Sequence, residues 1–168
     1  MHTGAANSSD FIALIKDQQR LIFKVCSLYA EMPEDRKDIF QEIVLQVWQA
    51  YPGFRNASKV STWMYRIALN TAINYRRKNN KIKTAPLPAF LNEEGINSSF
   101  VFDEEYQLMH KLISGLPEVD RAIVMLYLDD CSYKEIADII GLSESNIGTK
   151  LMRIKEKLKT QAHRFINS

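Results

Sequence analysis

Apolar residues recur along this chain with the 3.6-residue period of α-helices, and no segment alternates as a β-strand would. Turn residues divide the first half into three amphipathic stretches, which we expect to close into a small bundle with a modest core. The predicted helices span residues 10–29, beginning at Ser9 or Asp10, then 33–51 and 62–79. The inward set predicted for the second helix is Ile39, Phe40, Ile43, Val44, Val47, Trp48 and Tyr51.

The periodicity stops between residues 81 and 103, where proline, asparagine, glycine and serine indicate an irregular connector. Residues 1–9 have the composition of a loose tail. A second helical group follows, with one helix from Glu104 to Ser114 and another that begins at Pro117. The pattern therefore predicts an all-α chain with two small helical domains, residues 10–80 and 104–165, joined by a linker.

The segment from Ser132 to residue 158 carries the most specific local pattern. Ser132 and Glu135 have the spacing of a capping box, Gly141 suits the left-handed residue that ends a helix, and Ser143 can cap the next helix. This order predicts a helix–turn–helix whose second helix presents short polar groups and cations, as a helix that enters a DNA groove does. An ordinary pair of surface helices is the alternative. The outward residues are Ser145, Asn146, Thr149, Lys150 and Arg153.

The net charge of +2 is uninformative, but the distribution of charge is not. Residues 43–92 contain eight lysines and arginines and no acid, and residues 141–168 contain six such cations against two acids. The acids gather in residues 10–42, 93–105 and 118–138. Because cations follow a phosphate backbone, the two basic blocks predict two nucleic-acid surfaces.

Aromatic residues accompany the cations of the third predicted helix and the loop before it. Aromatic faces accept unstacked bases, at about 1–3 kcal/mol per base, so this combination suits single-stranded DNA. The polar loop 56–61 could form a pocket for the edge of an extruded base. Burial in the core is the alternative for these rings, above all for Trp63. The aromatic residues are Phe54, Trp63, Tyr65 and Tyr75.

The outer side of the second predicted helix is acidic. Beside a basic DNA surface it would repel DNA, so it better suits a protein partner that carries arginine or lysine. A merely solvated face is the alternative. The residues are Asp35, Asp38, Gln41 and Glu42.

Several classes of chemistry find no support in the sequence. Cys26 and Cys131 lie far apart in apolar stretches and suit buried thiols of a reducing compartment. The chain has no CxxC or Cys/His spacing and no evident nucleophile–base pair, so we predict no metal, no cofactor and no catalytic residue. It also has no apolar run of about 20 residues and no signal-peptide pattern at its start, so we expect a cytoplasmic protein that does not insert into the membrane.

Three segments resemble the small extracytoplasmic-function sigma factors of bacterial RNA polymerase, and together they extend over most of residues 10–160. The match rests on the D-x-x-Q-E-x-x-x-x-x-W run, the S-T-W-M-Y-R-I-A segment and the helix–turn–helix. The segments are DRKDIFQEIVLQVWQAY (35–51), FRNASKVSTWMYRIALNTAINYRRK (54–78) and LPEVDRAIVMLYLDDCSYKEIADIIGLSESNIGTKLMRIKEKL (116–158).

The resemblance implies a subunit that directs core RNA polymerase to promoters and helps to melt them. It implies that the acidic face docks on the coiled coil of the largest polymerase subunit, and that the second domain packs on the β flap and reads the minus-thirty-five element as duplex. It also implies an anti-sigma partner. The residues implied to hold the single-stranded minus-ten element are Asn56, Ser58, Lys59, Trp63, Asn70, Asn74, Arg76 and Arg77.

One position departs from the family. Gly148 stands where a long residue such as lysine is common, although glycine inside a helix costs about 1 kcal/mol relative to alanine. Either the backbone approaches DNA closely there, or the promoter specificity differs. Two other functions also remain open: a dimeric helix–turn–helix repressor or activator of palindromic sites, and a helical enzyme or adaptor that binds an anionic partner.

Overall fold

The computed structural model describes residues 8–79 and 104–168, and all regular structure within these two ranges is helical. This confirms the predicted all-α fold. The chain divides into two compact units, which contain residues 8–79 and 104–168 respectively. The predicted connector (81–103) and most of the predicted tail (1–7) lie outside the described residues. The exact domain boundaries therefore remain a prediction.

The first unit contains four α-helices and one short 3₁₀ turn. The first predicted helix is in fact two, because the backbone at Gln18 (φ −98°, ψ 7°) departs from helical geometry. The first of the two begins at Ser8, slightly before the predicted start. The elements are α1 Ser8–Asp17, α2 Gln19–Tyr29, α3 Pro33–Ala50, the 3₁₀ turn Tyr51–Gly53 and α4 Val60–Asn79.

Helices α2, α3 and α4 pack against one another around one apolar core. Cys26 belongs to this core, and burial raises the pKa of its thiol to about 12, so the group stays protonated at neutral pH. Trp48 was predicted to face inward, but 44% of it is exposed, and its ring lies nearly perpendicular to that of Phe11 with the ring centroids 4.7 Å apart. The fully buried residues of the core include Ile22, Val25, Ile39, Ile43, Val47, Met64, Ala68 and Ala72.

The second unit consists of α5 Glu104–Ser114, α6 Glu118–Leu128, α7 Tyr133–Ile140 and α8 Glu144–Ile166. Helices α6, α7 and α8 each pack on the other two, and α5 lies on α6 and α8. The core is again aliphatic. Its fully buried residues include Leu116, Ile123, Leu126, Ile136, Ile147 and Leu151.

Hydrogen bonds at the helix ends confirm the predicted helix–turn–helix. Ser132 Oγ accepts from the Glu135 backbone N–H at 3.1 Å, and the Ser132 N–H donates to Glu135 Oε2 at 3.0 Å. Gly141 has φ 84° and its N–H bonds to the Ala137 carbonyl at 2.8 Å. Ser143 Oγ then accepts from the Asn146 N–H at 3.1 Å. These bonds fix the angle at which α8 leaves the turn.

A buried arginine closes the turn between α5 and α6. Arg121 is 4% exposed, and its Nε donates to the Leu116 carbonyl at 2.7 Å. The sequence pattern did not indicate this role, because an arginine in an amphipathic helix is expected to face solvent.

Within residues 8–79 and 104–168, no helix is long and apolar enough to span a bilayer. In the same ranges, no group of three or more histidine, cysteine, aspartate or glutamate residues could hold a metal ion.

Candidate functional site

The outer face of α8 is the first candidate surface. Its inner side is buried in the core through Ile147, Leu151 and Ile154. Four of the five predicted reading residues are exposed on the opposite side, within about 100° of the helix circumference at 100° per residue. These four are Ser145, Asn146, Thr149 and Arg153.

Lys150, the fifth predicted residue, lies at the margin of this face. It is half-buried, and its Nζ is 3.9 Å from Asp120 Oδ1 of α6. Its charge is therefore partly balanced within the unit. A lysine so placed is better suited to a phosphate at the edge of a groove than to a base.

Thr149 is restricted in the hydrogen bonds it can offer. Its Oγ1 donates to the Ser145 carbonyl at 3.1 Å, within the same helix. A hydroxyl has one hydrogen, so in this rotamer Thr149 can only accept from a base. The donors on the outer face must therefore come from other residues, such as Asn146 and Arg153.

Gly148 lies on one flank of α8, against α7. A Cβ built there would be 3.5 Å from Cε2 of Tyr133, which is ordinary van der Waals contact. On the same flank, Lys155 Nζ donates to the Tyr127 hydroxyl at 3.0 Å, and this bond raises the pKa of Lys155. The side-chain position at residue 148 thus faces Tyr133 rather than the outer surface.

A stripe along α4 is the second candidate surface. At 100° per residue, Trp63, Asn70, Asn74 and Arg77 fall within about 60° of one another, on the side away from the core. The two asparagines and Arg77 are exposed. Exposed Arg66, one of the cations of the predicted basic stretch, lies on the same side, although it is not among the minus-ten residues that the resemblance implies.

Trp63 and Tyr65, two aromatic candidates of α4, lie in different surroundings. Trp63 is half-buried, and its ring packs on Phe54 of the preceding loop with centroids 4.5 Å apart. Tyr65 is 5% exposed, so the expectation that it offers a stacking face is wrong. It lies on the side of α4 that carries the buried residues Met64, Ala68 and Ala72 and therefore faces the bundle.

Arg76 also departs from the stripe. It is half-buried and lies about 100° around α4 from its neighbour Arg77. The structure therefore does not bring Arg76 together with the other predicted minus-ten residues.

The loop before α4 leads directly into this stripe. Asn56, Ser58 and Lys59 are all exposed, and the Lys59 carbonyl accepts from the Trp63 N–H at 3.1 Å. Asn56 has φ 54°, a left-handed conformation that asparagine adopts more readily than most residues. The loop thus presents polar side chains next to the aromatic end of the stripe.

The acidic side of α3 is the third candidate surface. Asp38 and Gln41 are exposed, while Asp35 and Glu42 are half-buried. The same face contains Leu45, 47% exposed, which the prediction missed. Its place outside the inward Ile39–Ile43–Val47 spacing could have revealed it.

Tyr75 links this acidic face to α4. Its hydroxyl lies 3.4 Å from Asp35 Oδ1 and 3.3 Å from Asp38 Oδ2, so it can donate to either. Burial, and then the two carboxylates, raise the pKa of Tyr75. Tyr75 was predicted to stack on bases, but here its polar end belongs to the carboxylate cluster.

Two models of one protein family match the chain, one in each unit. The model for Sigma-70 region 2 matches residues 14–82, and the model for Sigma-70, region 4, matches residues 106–158. The chain belongs to the sigma-70 family, in its extracytoplasmic-function group. This confirms the resemblance found in the sequence. A sigma factor directs core RNA polymerase to promoters, so transcription initiation is the function of this sigma factor.

Two curated relatives are similar over nearly the whole sigma factor. It is 29% identical over 169 residues to the ECF RNA polymerase sigma-E factor of Escherichia coli K12, covering 93% of this chain and 88% of that protein. It is 25% identical over 154 residues to RNA polymerase sigma factor SigV of Bacillus subtilis, covering 89% of each chain.

Two solved structures share its fold. One is CnrH in complex with the cytosolic domain of CnrY, with a TM-score of 0.68 at 18% identity over 95% of this chain and 92% of that one. The other is the sigma factor RpoE of Bartonella quintana in complex with the anti-sigma factor NepR, with a TM-score of 0.67 at 18% identity over 90% and 95% of the two chains.

Proposed function

We propose that the two units divide promoter recognition between duplex and single-stranded DNA. The observation that carries this proposal is the face of α8, where Ser145, Asn146, Thr149 and Arg153 are exposed opposite a buried aliphatic side. A helix of this kind fits the major groove, where base edges present distinct donors and acceptors. It would read the minus-thirty-five element, with Lys150 at a flanking phosphate.

The loop and the α4 stripe would hold the non-template strand of the minus-ten element. Amides such as those of Asn70 and Asn74 both donate and accept, which suits the edges of unpaired bases. Arg77 and Lys59 would bind phosphates, and the Trp63 ring would stack on a base. Arg76 has no part in this proposal, because it lies off the stripe.

The acidic face of α3 would dock on the basic coiled coil of the largest polymerase subunit, and the second unit on the β flap. Melting costs about 1.4 kcal/mol per base-pair step, so polymerase contacts must supply much of the energy. The sigma factor would act without covalent chemistry and in the cytoplasm, where the polymerase is. The complex of its structural relative with NepR supports an anti-sigma partner here as well.

The domain limits proposed for this division are residues 10–80 and 104–165, with residues 81–103 as linker. The two domains would contact promoter elements on either side of a spacer. Because the linker carries acids, such as Glu93 and Glu94, it would avoid duplex DNA and run through the polymerase.

One transcription experiment tests this division of labour. Core polymerase and the full chain would transcribe a promoter library in which both elements are randomised. The double variant Asn146→Ala/Arg153→Ala should lose preference for the upstream element alone, by about 10- to 100-fold, since a bidentate arginine contact is worth about 1–3 kcal/mol. The double variant Asn74→Ala/Arg77→Ala should lose preference for the downstream element alone.

Two controls complete the experiment. Lys111→Ala on α5 and Lys16→Ala on α1 remove exposed cations from helices that carry neither proposed DNA surface and should change neither preference. Asp38→Lys should weaken binding to core polymerase and lower transcription from every promoter equally. If the α4 and α8 variants change the sequence preference at the same promoter element, the proposed division is wrong.

A further inference from the structure

Met152 is the one large apolar residue in the first three turns of α8 that the fold does not bury. It is 59% exposed, whereas Ile147, Leu151 and Ile154 are between 0% and 4% exposed. The core therefore makes no use of this side chain. The side chain is therefore available for a contact with a partner.

The position of Met152 relates it to the candidate reading face. It follows Ser145 by seven residues, which places the two within about 20° of each other on the helix. It is also three residues after Thr149, the spacing of neighbours on a helix surface, and it precedes Arg153. Met152 thus extends the row of Ser145 along the exposed face of α8.

The chemistry of this row limits what it can recognise. A thioether is an apolar group with only weak acceptor character, and the hydrogen of the neighbouring Thr149 hydroxyl is committed to the Ser145 carbonyl. No strong donor to a base therefore comes from these two side chains. In the major groove, the prominent apolar group is the C5-methyl of thymine, and methionine adapts its shape to such contacts.

We propose that Met152 packs against the C5-methyl group of a thymine in the upstream promoter element and thereby selects a T·A pair at one position. This inference rests on the proposed role of α8 in reading duplex DNA. It adds an apolar contact, which the sequence pattern did not assign, to the polar contacts proposed for Asn146 and Arg153.

The test uses the holoenzyme, formed from core polymerase and the full chain. Its probe is the upstream duplex that the wild-type holoenzyme enriches from a randomised library. Each thymine in that duplex is replaced in turn by deoxyuridine, which pairs with adenine but lacks the methyl group. At one position, wild-type binding should fall about fourfold, the value of one buried methyl-sized group.

Variants of Met152 assign that effect to the side chain. Met152→Ala should bind the thymine and uracil duplexes at that position equally, and Met152→Leu should keep much of the difference. Because no phosphate contact is involved, the dependence of binding on salt should match that of the wild type. The thermal unfolding of both variants should also match, since the side chain is exposed.

Two groups of results separate failure of this inference from failure of the role of α8. The inference is overturned if no uracil substitution weakens wild-type binding, if Met152→Ala keeps the full difference, or if the enriched duplex contains no thymine. If instead no upstream sequence is enriched, and Asn146→Ala/Arg153→Ala transcribes like the wild type, the proposed role of α8 itself is wrong, and this inference falls with it.

Discussion

The two units present their candidate DNA surfaces in different ways. In the second unit a single helix carries the whole surface, and the bonds at Ser132, Gly141 and Ser143 fix its direction. In the first unit the surface joins a loop, with Asn56 in a left-handed conformation, to a helix stripe that begins at a half-buried tryptophan. A rigid helix suits the regular groove of a duplex, whereas a loop with an aromatic platform suits a strand whose bases are unstacked.

The units also differ in how charge is arranged. On α8, cations lie beside short polar groups, and Asp120 of α6 lies 3.9 Å from Lys150 at the margin of this face. In the first unit, the acidic face of α3 and the basic stripe of α4 belong to packed neighbouring helices, and Tyr75 touches the carboxylates. The charges on the outer face of α8 therefore suit DNA, whereas those of the first unit suit both DNA and a basic protein surface.

The largest effect on stability should come from a variant that destabilises the second unit and leaves the first unit unchanged. Arg121→Met keeps an apolar stem of similar length but removes the donor to the buried Leu116 carbonyl. Leaving this carbonyl without its partner should lower the free energy of unfolding of the second unit by about 1–3 kcal/mol. Hydrogen exchange of amides in α6–α8 would measure the loss.

The first unit provides the internal control for this variant. Both tryptophans of the chain, Trp48 and Trp63, belong to it, so tryptophan fluorescence reports its unfolding alone. We expect that transition to be unchanged in Arg121→Met. A parallel shift of the fluorescence transition would show that the two units unfold together.

Sequence predicted the second unit better than the first for a physical reason. A capping box such as Ser132–Glu135 and a left-handed glycine such as Gly141 are local features, complete within a few residues. The exposure of Trp48 and the burial of Tyr65 depend on how α3 and α4 sit in the bundle. Such tertiary placement cannot be inferred from one helix's own pattern.

Charge alone also fails to locate the site on α4. Arg76 and Arg77 are chemically identical neighbours in the sequence, yet about 100° of helix rotation separates them. Burial of Arg121 shows the same limit, because its partner is a carbonyl at the end of the preceding turn. Composition predicted a basic surface, and only the packing tells which of its residues face outward.

Two substitutions of Asn56 separate the role of its left-handed backbone conformation from the role of its side-chain amide. Asn56→Ala places an alanine at φ 54°, which should cost about 1–2 kcal/mol of the first unit's stability. Asn56→Gly removes the same amide but accepts this φ without strain. If the amide contacts a base, both variants should change the preferred minus-ten sequence, and only alanine should shift the tryptophan unfolding transition. Wild-type preference in Asn56→Gly would limit Asn56 to shaping the loop.

A smaller effect of opposite sign is expected on α8. Gly148→Ala should raise the free energy of unfolding of the second unit by up to about 1 kcal/mol, because alanine favours the helix and its Cβ makes an ordinary contact with Tyr133. Binding to the upstream element should not change, since this position faces Tyr133. Weaker binding by a more stable Gly148→Ala variant would mean that the backbone itself approaches DNA there.

The smallest effect concerns the hydrogen bond from Tyr75 to the acidic face of α3. Tyr75→Phe should lower the stability of the first unit by about 0.5 kcal/mol at neutral pH, at the low end for a hydrogen bond because both distances exceed 3.2 Å. Since the folded state raises the pKa of Tyr75, the neutral phenol is favoured on folding. Its stabilising contribution is full below the ordinary tyrosine pKa of about 10 and is lost as pH rises further. The wild type should therefore have a higher free energy of unfolding than Tyr75→Phe, by an amount that is constant up to about pH 9 and decreases towards pH 11. Tryptophan fluorescence in urea would measure this difference. If this difference in free energy of unfolding instead increases with pH, the phenol does not donate a hydrogen bond to Asp35 or Asp38. Packing alone would then connect the acidic face to α4.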